Sequence, residues 1–197
     1  MMPLGLSVAC GIYFGNSLGE GKPRLAMQYY KVCLLLALIV TFLQILGLYF
    51  GINQVIAIFT EQESIAKIMK VAWPMLLVYT FFDTLQIMGG TVMRSTLNQK
   101  EGTGLNFVGY FLFGIPISIY FAFKEDLGVK GIWVGPAFAV AFLTLTYNLF
   151  ISKINWVSIV DTLEERTRIE NEEREKLELK KKIETETLDD YDDYTAL

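Results

Sequence analysis

The hydrophobic pattern of this 197-residue chain is a series of long uncharged runs separated by short polar segments. The runs cover about residues 1–18, 32–51, 71–93, 102–123 and 131–152. As helices rising about 1.5 Å per residue, runs of this length match a hydrocarbon core about 30 Å thick. The pattern therefore predicts five transmembrane helices.

Two segments outside these runs have different patterns. The uncharged stretch that begins at residue 32 continues to residue 60, so residues 52–60 are predicted to form a short amphipathic or interfacial piece. Acids and bases alternate between residues 161 and 182 without Gly or Pro, which favours a solvated helix with i,i+4 ion pairs. Residues 184–197 are acidic and are predicted to be disordered.

Composition supports a membrane protein. Hydrophobic residues make up 53% of the chain, mean hydropathy is +0.40 and histidine is absent. The net charge is +2 for residues 1–152 and −6 for residues 153–197, so the polar residues are segregated. We therefore predict an all-α polytopic membrane protein, with a helical lobe over 1–156 and a charged tail over 157–197 that is part helical and part disordered.

Candidate chemistry for metal binding or catalysis is sparse. Cys10 and Cys33 lie in or beside apolar segments without a CxxC spacing, so we expect buried reduced thiols. We expect no metal site, no cofactor and no enzymatic activity. The lipid bilayer is the expected surrounding partner, and no nucleic acid is expected.

The distribution of Lys and Arg predicts the orientation. Thirteen of them fall in the 19–31 loop, the 94–101 loop and the tail, whereas four fall in the loops on the opposite side. Positive residues concentrate on the cytoplasmic side of membrane proteins. We therefore predict a cytoplasmic C-terminus.

Asp83 is the single charge within the run 71–93 and lies near its centre. An aspartate at mid-membrane costs about 2.5–3.5 kcal/mol, so it persists where it faces a cavity, a partner or a transported ion. A structural hydrogen bond to a neighbouring helix, or a shifted span that places Asp83 at the interface, are the alternatives. Gln86, one turn further on, is predicted to share the face of Asp83. Nearby aromatic residues can contact a planar cation or serve only in packing: Trp73, Tyr79, Phe81 and Phe82.

Prolines within three of the runs predict bends. Pro74, Pro116 and Pro136 each remove a backbone donor. Such positions serve as hinges or as ordinary packing features of membrane helices.

Four motifs in order resemble those of one transporter family. The first is the loop Gly15-Asn16-Ser17-Leu18-Gly19-Glu20-Gly21-Lys22-Pro23, and the second runs from Asp83 and Gln86 through Gly89-Gly90 to Arg94 and Gln99. The third comprises Asn106, Gly114 and Pro116, and the last is the segment 127–135, LGVKGIWVG. Together they resemble multidrug and toxic compound extrusion (MATE) transporters. Tyr13, Ser95 and Leu97 depart from the family pattern, which usually has arginine and two glycines there.

The resemblance implies that residues 1–156 correspond to helices eight to twelve of a twelve-helix fold. It implies antiport, in which an organic cation or other xenobiotic leaves the cytoplasm in exchange for H⁺ or Na⁺. Asp83, Gln86 and Tyr79 are then the expected ion-coupling and substrate-binding residues. The expected conformational residues are those of the motifs: Gly15, Asn16, Gly19, Arg94, Gln99, Asn106 and Pro116. The expected protein partner is the missing N-terminal lobe or a full-length relative.

Three other functions are alternatives to transport. A membrane enzyme is disfavoured, because Asp83 is the only acid within a span and histidine is absent. A lipid-linked oligosaccharide flippase of the same superfamily is an alternative, although the spans lack the arginines expected in its cavity. A truncated product that transports nothing and associates with a full-length relative is the third.

Overall fold

A computed structural model describes residues 2–96 and 98–195, with side chains for 3–96, 98–165, 167–169 and 171–178. Over these residues every regular element is a helix, so the predicted all-α fold class is confirmed. The helices are α1 (Met2–Gly19), α2 (Pro23–Phe50), α3 (Ile52–Phe59), α4 (Glu63–Ser95), α5 (Gln99–Lys124), α6 (Val129–Lys153) and α7 (Trp156–Thr195).

Four of these helices are long and apolar enough to cross a membrane: α2, α4, α5 and α6. The first predicted span coincides with α1, an 18-residue helix that is not among these four. It packs against both α2 and α4. Most observed helices are longer than their uncharged runs, and α4 begins at Glu63, eight residues before residue 71.

The turn between α1 and α2 is built around a glycine with a positive φ. Gly21 has φ +69°, its N–H donates to the carbonyl of Leu18, and the N–H of Lys22 donates to the carbonyl of Ser17. This is the Schellman arrangement that ends a helix. Pro23 then begins α2, where its missing N–H is not needed. A hydrogen bond to the exposed Glu20 carboxylate raises the pKa of Lys22.

Helix α5 contains two wider π-helical segments, Val108–Gly114 and Tyr120–Lys124. They flank Pro116, which cannot donate a backbone hydrogen bond. Helix α6 crosses α5 at close range, because small residues at four-residue spacing face each other on the two helices. Those on α5 are Gly114, Ser118 and Ala122, and those on α6 are Gly131, Gly135 and Ala139.

Two apolar clusters hold the bundle together. The larger lies between α1, α2 and α4 and includes the buried residues Phe14, Tyr30 and Met88, together with the free thiol Cys10. The smaller lies between α4, α5 and α6. Its buried residues are Met93, Leu143 and Tyr147.

The first turns of α7 belong to the lobe. Val160 is 9% exposed within the larger cluster, and the Trp156 ring meets the Phe14 ring edge-on with centroids 6.2 Å apart. The tail predicted to begin at 157 therefore packs on the bundle up to Leu163, and the described side chains after it are exposed. The structure continues α7 as a helix to Thr195, where the sequence predicted disorder. No Gly or Pro interrupts residues 156–195.

Candidate functional site

Asp83 lies half-buried near the middle of the membrane-spanning part of α4 and lines a groove of about 380 Å³. Three helices form this groove. Helix α1 contributes Pro3 and Leu4, α2 contributes Gln44, and α4 contributes Tyr79, Thr80, Asp83, Thr84 and Ile87. A carboxylate at this depth thus faces a cavity.

Tyr79 is the hydrogen-bond partner of Asp83. Its hydroxyl donates to Oδ1 of Asp83 at 3.4 Å, from one helical turn earlier in α4. The Tyr79 ring meets the Trp133 ring edge-on at 6.1 Å, and Tyr110 of α5 neighbours both Tyr79 and Asp83. Among the described side chains, Asp83 forms no salt bridge with a Lys or Arg. No basic side chain of the described residues therefore neutralises this carboxylate.

Gln44 brings a second acceptor to the same groove. Its Oε1 atom is shielded from solvent and has no hydrogen-bond partner among the described atoms. A buried oxygen without a donor costs free energy, so such an atom points to a ligand or water that donates to it. Two different helices therefore place a carboxylate and an unsatisfied amide oxygen beside this groove.

Hydrogen bonds on both sides fix this part of α4. Thr84 and Thr41 of α2 share a buried hydrogen bond of 2.8 Å, and Thr144 of α6 donates to the carbonyl of Phe82 at 3.1 Å. These contacts bracket Asp83 in sequence. The helix that carries the acid is thus tied to both neighbours.

A second, polar pocket of about 100 Å³ lies between α4, α5 and α6. It contains four of the residues singled out from the sequence, namely Gln86, Arg94, Gln99 and Asn106. The remaining lining residues are Gly90, Met93, Gly102, Thr103 and Tyr147.

Gln86 lies in this polar pocket and does not line the Asp83 groove. Its Nε2 donates to Oδ1 of Asn106 at 3.2 Å. Three residues turn a helix by about 300°, so Gln86 is rotated by about 60° from Asp83 and points to α5. The two residues, although predicted to share a face, therefore line two different cavities.

The other motif residues lie outside both cavities. Gly15 is half-buried with open space beside it, Gly19 is exposed, and the carbonyl of Asn16 accepts the N–H of Glu20 at 3.0 Å. Pro116 is exposed on α5. Gly15, Asn16 and Gly19 belong to the last turns of α1, and Pro116 lies in the interior of α5. None of them lines the groove or the polar pocket.

Of the aromatic residues near Asp83 in sequence, Tyr79 alone lines its groove. Trp73 and Trp133 line a separate apolar pocket of about 130 Å³, and the indole N–H of Trp73 donates to the carbonyl of Leu48 at 3.1 Å. Phe81 is 42% exposed on the outer surface. Phe82 is half-buried, with its ring against that of Phe81 at 5.4 Å. Packing or lipid contact accounts for Trp73, Phe81 and Phe82.

Sequence reasoning missed Gln44 and Tyr147. Tyr147 is 1% exposed, and its hydroxyl donates to the carbonyl of Gly102 at 3.2 Å. Both residues are polar groups inside uncharged runs, and that signal marks them as candidates for interior contacts. In the part of the chain that the structure describes, no three His, Cys, Asp or Glu residues are grouped to hold a metal ion.

The fold and the groove define an integral membrane protein of packed helices with an acid facing a cavity at mid-span. The MatE family profile matches residues 1–120. The chain belongs to this family.

The relatives of this chain include proteins named for multidrug and toxin extrusion or for detoxification. Multidrug and toxin extrusion protein 2 of Mus musculus is 31% identical over 173 residues, which cover 87% of this chain and 30% of the relative. Human multidrug and toxin extrusion protein 1 is 33% identical over 79% of this chain and 27% of its own length. Protein DETOXIFICATION 41 of Arabidopsis thaliana is 33% identical over 88% of this chain and 34% of its own length. The chain thus spans about a third or less of the length of these relatives.

A solved structure shares the fold. The eukaryotic MATE transporter AtDTX14 superposes on 83% of this chain with a TM-score of 0.78 and 24% identity, and the match covers 37% of that protein. The predicted resemblance to a partial lobe of this fold is confirmed.

Proposed function

We propose that this chain is part of a secondary antiporter that exports organic cations or other xenobiotics in exchange for H⁺ or Na⁺. Asp83 is the coupling residue in this proposal. The observation that carries it is the position of Asp83, half-buried at mid-span, facing a groove, and without a cationic side chain beside it among the described residues. Membership of a family whose relatives are named for multidrug and toxin extrusion supports the class of cargo.

The coupling follows from competition for one negative charge. A proton or Na⁺ on Asp83 neutralises it, and a cationic substrate then loses its partner. Gln44 Oε1 adds an acceptor without a donor, which suits an ammonium N–H or a sodium ion equally. Exchange requires only that the two ligands exclude each other in the groove.

Tyr79 has two roles in this proposal. Its hydroxyl orients the Asp83 carboxylate at 3.4 Å, and its ring, fixed against Trp133, offers a π-face to an organic cation. Gln86 is assigned to the polar pocket, where it bonds Asn106.

The flippase alternative requires positive side chains to hold a phosphate within the main cavity. The described lining of the Asp83 groove contains no Lys or Arg, and Arg94 lies in the separate polar pocket. This arrangement favours a cationic cargo. The remaining alternative is a non-transporting product that associates with a full-length relative.

The proposal places the C-terminus in the cytoplasm and needs an opposing lobe. Transporters of this kind bind substrate between two repeats and alternate by moving one against the other. In this proposal an N-terminal lobe or a full-length relative supplies the second half.

The test replaces Asp83 in a chain that contains both lobes. Asp83→Asn keeps the shape and hydrogen-bonding capacity but removes the charge, and Asp83→Glu keeps the charge with one extra methylene. Uptake of a fluorescent organic cation is driven in proteoliposomes by a pH jump, and in a second series by a Na⁺ gradient. We expect exchange to be lost in Asp83→Asn and partly retained in Asp83→Glu.

Glu101→Gln is the matched control, because it removes an exposed carboxylate near the start of α5. It should exchange like the unmodified protein. Normal exchange by a folded Asp83→Asn variant would refute the coupling role. A response only to the Na⁺ gradient would assign Na⁺ as the coupling ion.

A further inference from the structure

We propose that the polar pocket between α4, α5 and α6 binds an oxyanion, a phosphate or carboxylate group, with Arg94 as its charged ligand. The pocket holds Gln86, Arg94, Gln99, Thr103, Asn106 and Tyr147. This inference concerns a site separate from the Asp83 groove. It stands whether or not the chain takes part in cation transport.

The charge of the pocket favours an anion. Arg94 is the only ionised residue among its described lining residues, and no carboxylate lines it. The nearest acid in sequence on α5 is Glu101, which is exposed and outside the lining, as is Lys100. A guanidinium is always charged, and no carboxylate in the described lining compensates this charge, so it can attract an anionic ligand.

The hydrogen-bond inventory also favours an anion. Arg94 uses Nη2 to reach Thr91 at 3.0 Å, which leaves most of its five donors without a described protein partner. The hydroxyls of Thr103 and Tyr147 donate to the backbone carbonyls of Gln99 and Gly102. The Asn106 amide accepts from Gln86 and keeps two N–H groups.

The donors left for a ligand in this cavity belong mainly to the Arg94 guanidinium, with side-chain amides beside it, because the Thr103 and Tyr147 hydroxyls already donate to backbone carbonyls. The fixed fork of an arginine pairs with two oxygens of a carboxylate or phosphate at once, and the Asn106 and Gln99 amides can complete the shell. The three side chains come from the end of α4 and the first turns of α5. A bound oxyanion would join these two helices across residues 96–98.

The size and place of the pocket suit this ligand. Its volume of about 100 Å³ corresponds to roughly three water molecules at about 30 Å³ each. Arg94 is exposed in the last turn of the membrane-spanning helix α4, shortly before the connection to α5. Both dissolved anions and lipid phosphates reach that level of a membrane.

The test uses the 197-residue chain in nanodiscs of neutral lipid. Sodium phosphate, sodium acetate and sodium chloride are titrated at equal ionic strength while heat of binding and thermal stability are recorded. We expect saturable binding of phosphate or acetate and a weaker response to chloride. Arg94→Gln and Asn106→Asp should each weaken binding at least about tenfold, because the first removes a charge-assisted donor and the second adds a repelling carboxylate.

Lys100→Gln is the matched control, since it removes a positive charge nearby without touching the pocket, and its affinity should stay within about twofold of the unmodified chain.

Nanodiscs containing phosphatidic acid distinguish the source of the anion. Weaker phosphate binding there identifies the lipid headgroup as a competing ligand, and unchanged binding identifies a dissolved anion. Equal responses to all three salts, or equal losses in Lys100→Gln and Arg94→Gln, would overturn the proposal. Variants are compared only after gel filtration shows that each is folded, and Asn106→Asp keeps the test decisive if Arg94→Gln is unstable.

Discussion

Ser118 on α5 donates a 2.9 Å hydrogen bond to the carbonyl oxygen of Ile132 on α6. The backbones of α5 and α6 therefore lie so near each other that large side chains do not fit between them. A methyl group built on Gly135 would overlap Oγ of Ser118 and the carbonyl oxygen of Gly114, and would lie 2.9 Å from the backbone nitrogen of Ser118. The packing of α5 on α6 therefore depends on the absence of a Cβ at residue 135.

Gly135→Ala should destabilise the bundle, because backbone atoms of α5 cannot move aside for the new methyl group. Overpacking costs about 1–3 kcal/mol, and in a chain of this size each kcal/mol lowers Tm by about 2–4 °C. Gly104→Ala is the control, since it lies in α5 with open space around it and gains helix propensity. Thermal unfolding in detergent micelles compares the two, and equal Tm values would contradict the close crossing.

The sequence was sufficient for most of the helical plan and for the position of Asp83. Uncharged runs predict membrane helices because a span needs about 20 apolar residues whatever its neighbours are. A single acid in such a run stands out for the same reason. Each of these predictions uses only the sequence of a single helix.

Contacts between residues of different helices cannot be predicted from the sequence of one helix. Gln86 follows Asp83 by one turn, yet its bond to Asn106 depends on where α5 packs. Tyr147 becomes part of the polar pocket only through the crossing of α4 and α6, where its Cβ lies 3.0 Å from the position of a Cβ on Gly89. Contacts of this kind join residues 20 to 60 positions apart, and helical periodicity carries no information about them.

The start of α7 should matter for stability and its later part should not. Val160 packs in the α1–α2 cluster, whereas Ile169, two to three turns further on, is 46% exposed. Val160→Asp should therefore lower Tm markedly, because it buries a charge without a partner. Ile169→Asp and deletion of residues 170–197 should leave Tm within about 2 °C of the unmodified chain. A large loss from the deletion would show that the distal tail contacts the bundle.

Orientation can be tested with single cysteines in a background that lacks Cys10 and Cys33. We expect residues 24 and 176 on the cytoplasmic side, because α2 and α4 form one pair of crossings and α5 and α6 another. Arg24→Cys and Lys176→Cys should resist an impermeant maleimide added to intact cells, and Lys124→Cys should react. Labelling of residues 24 and 176 from opposite sides would rule out this topology.

The separation of the two cavities predicts which polar residues are energetically coupled. Gln86 and Asn106 share a 3.2 Å hydrogen bond, so removing either side chain removes the same interaction. In a double-mutant cycle, Gln86→Leu and Asn106→Leu should be non-additive by about 0.6 kcal/mol, the average for polar contacts between membrane helices. Asp83→Asn combined with Asn106→Leu should instead be additive within about 0.3 kcal/mol, because the two residues line different cavities. Unfolding of the 197-residue chain by SDS in mixed micelles supplies the free energies for both cycles. Strong coupling between Asp83 and Asn106, with none between Gln86 and Asn106, would contradict the assignment of Gln86 to the polar pocket and would return it to the site of Asp83.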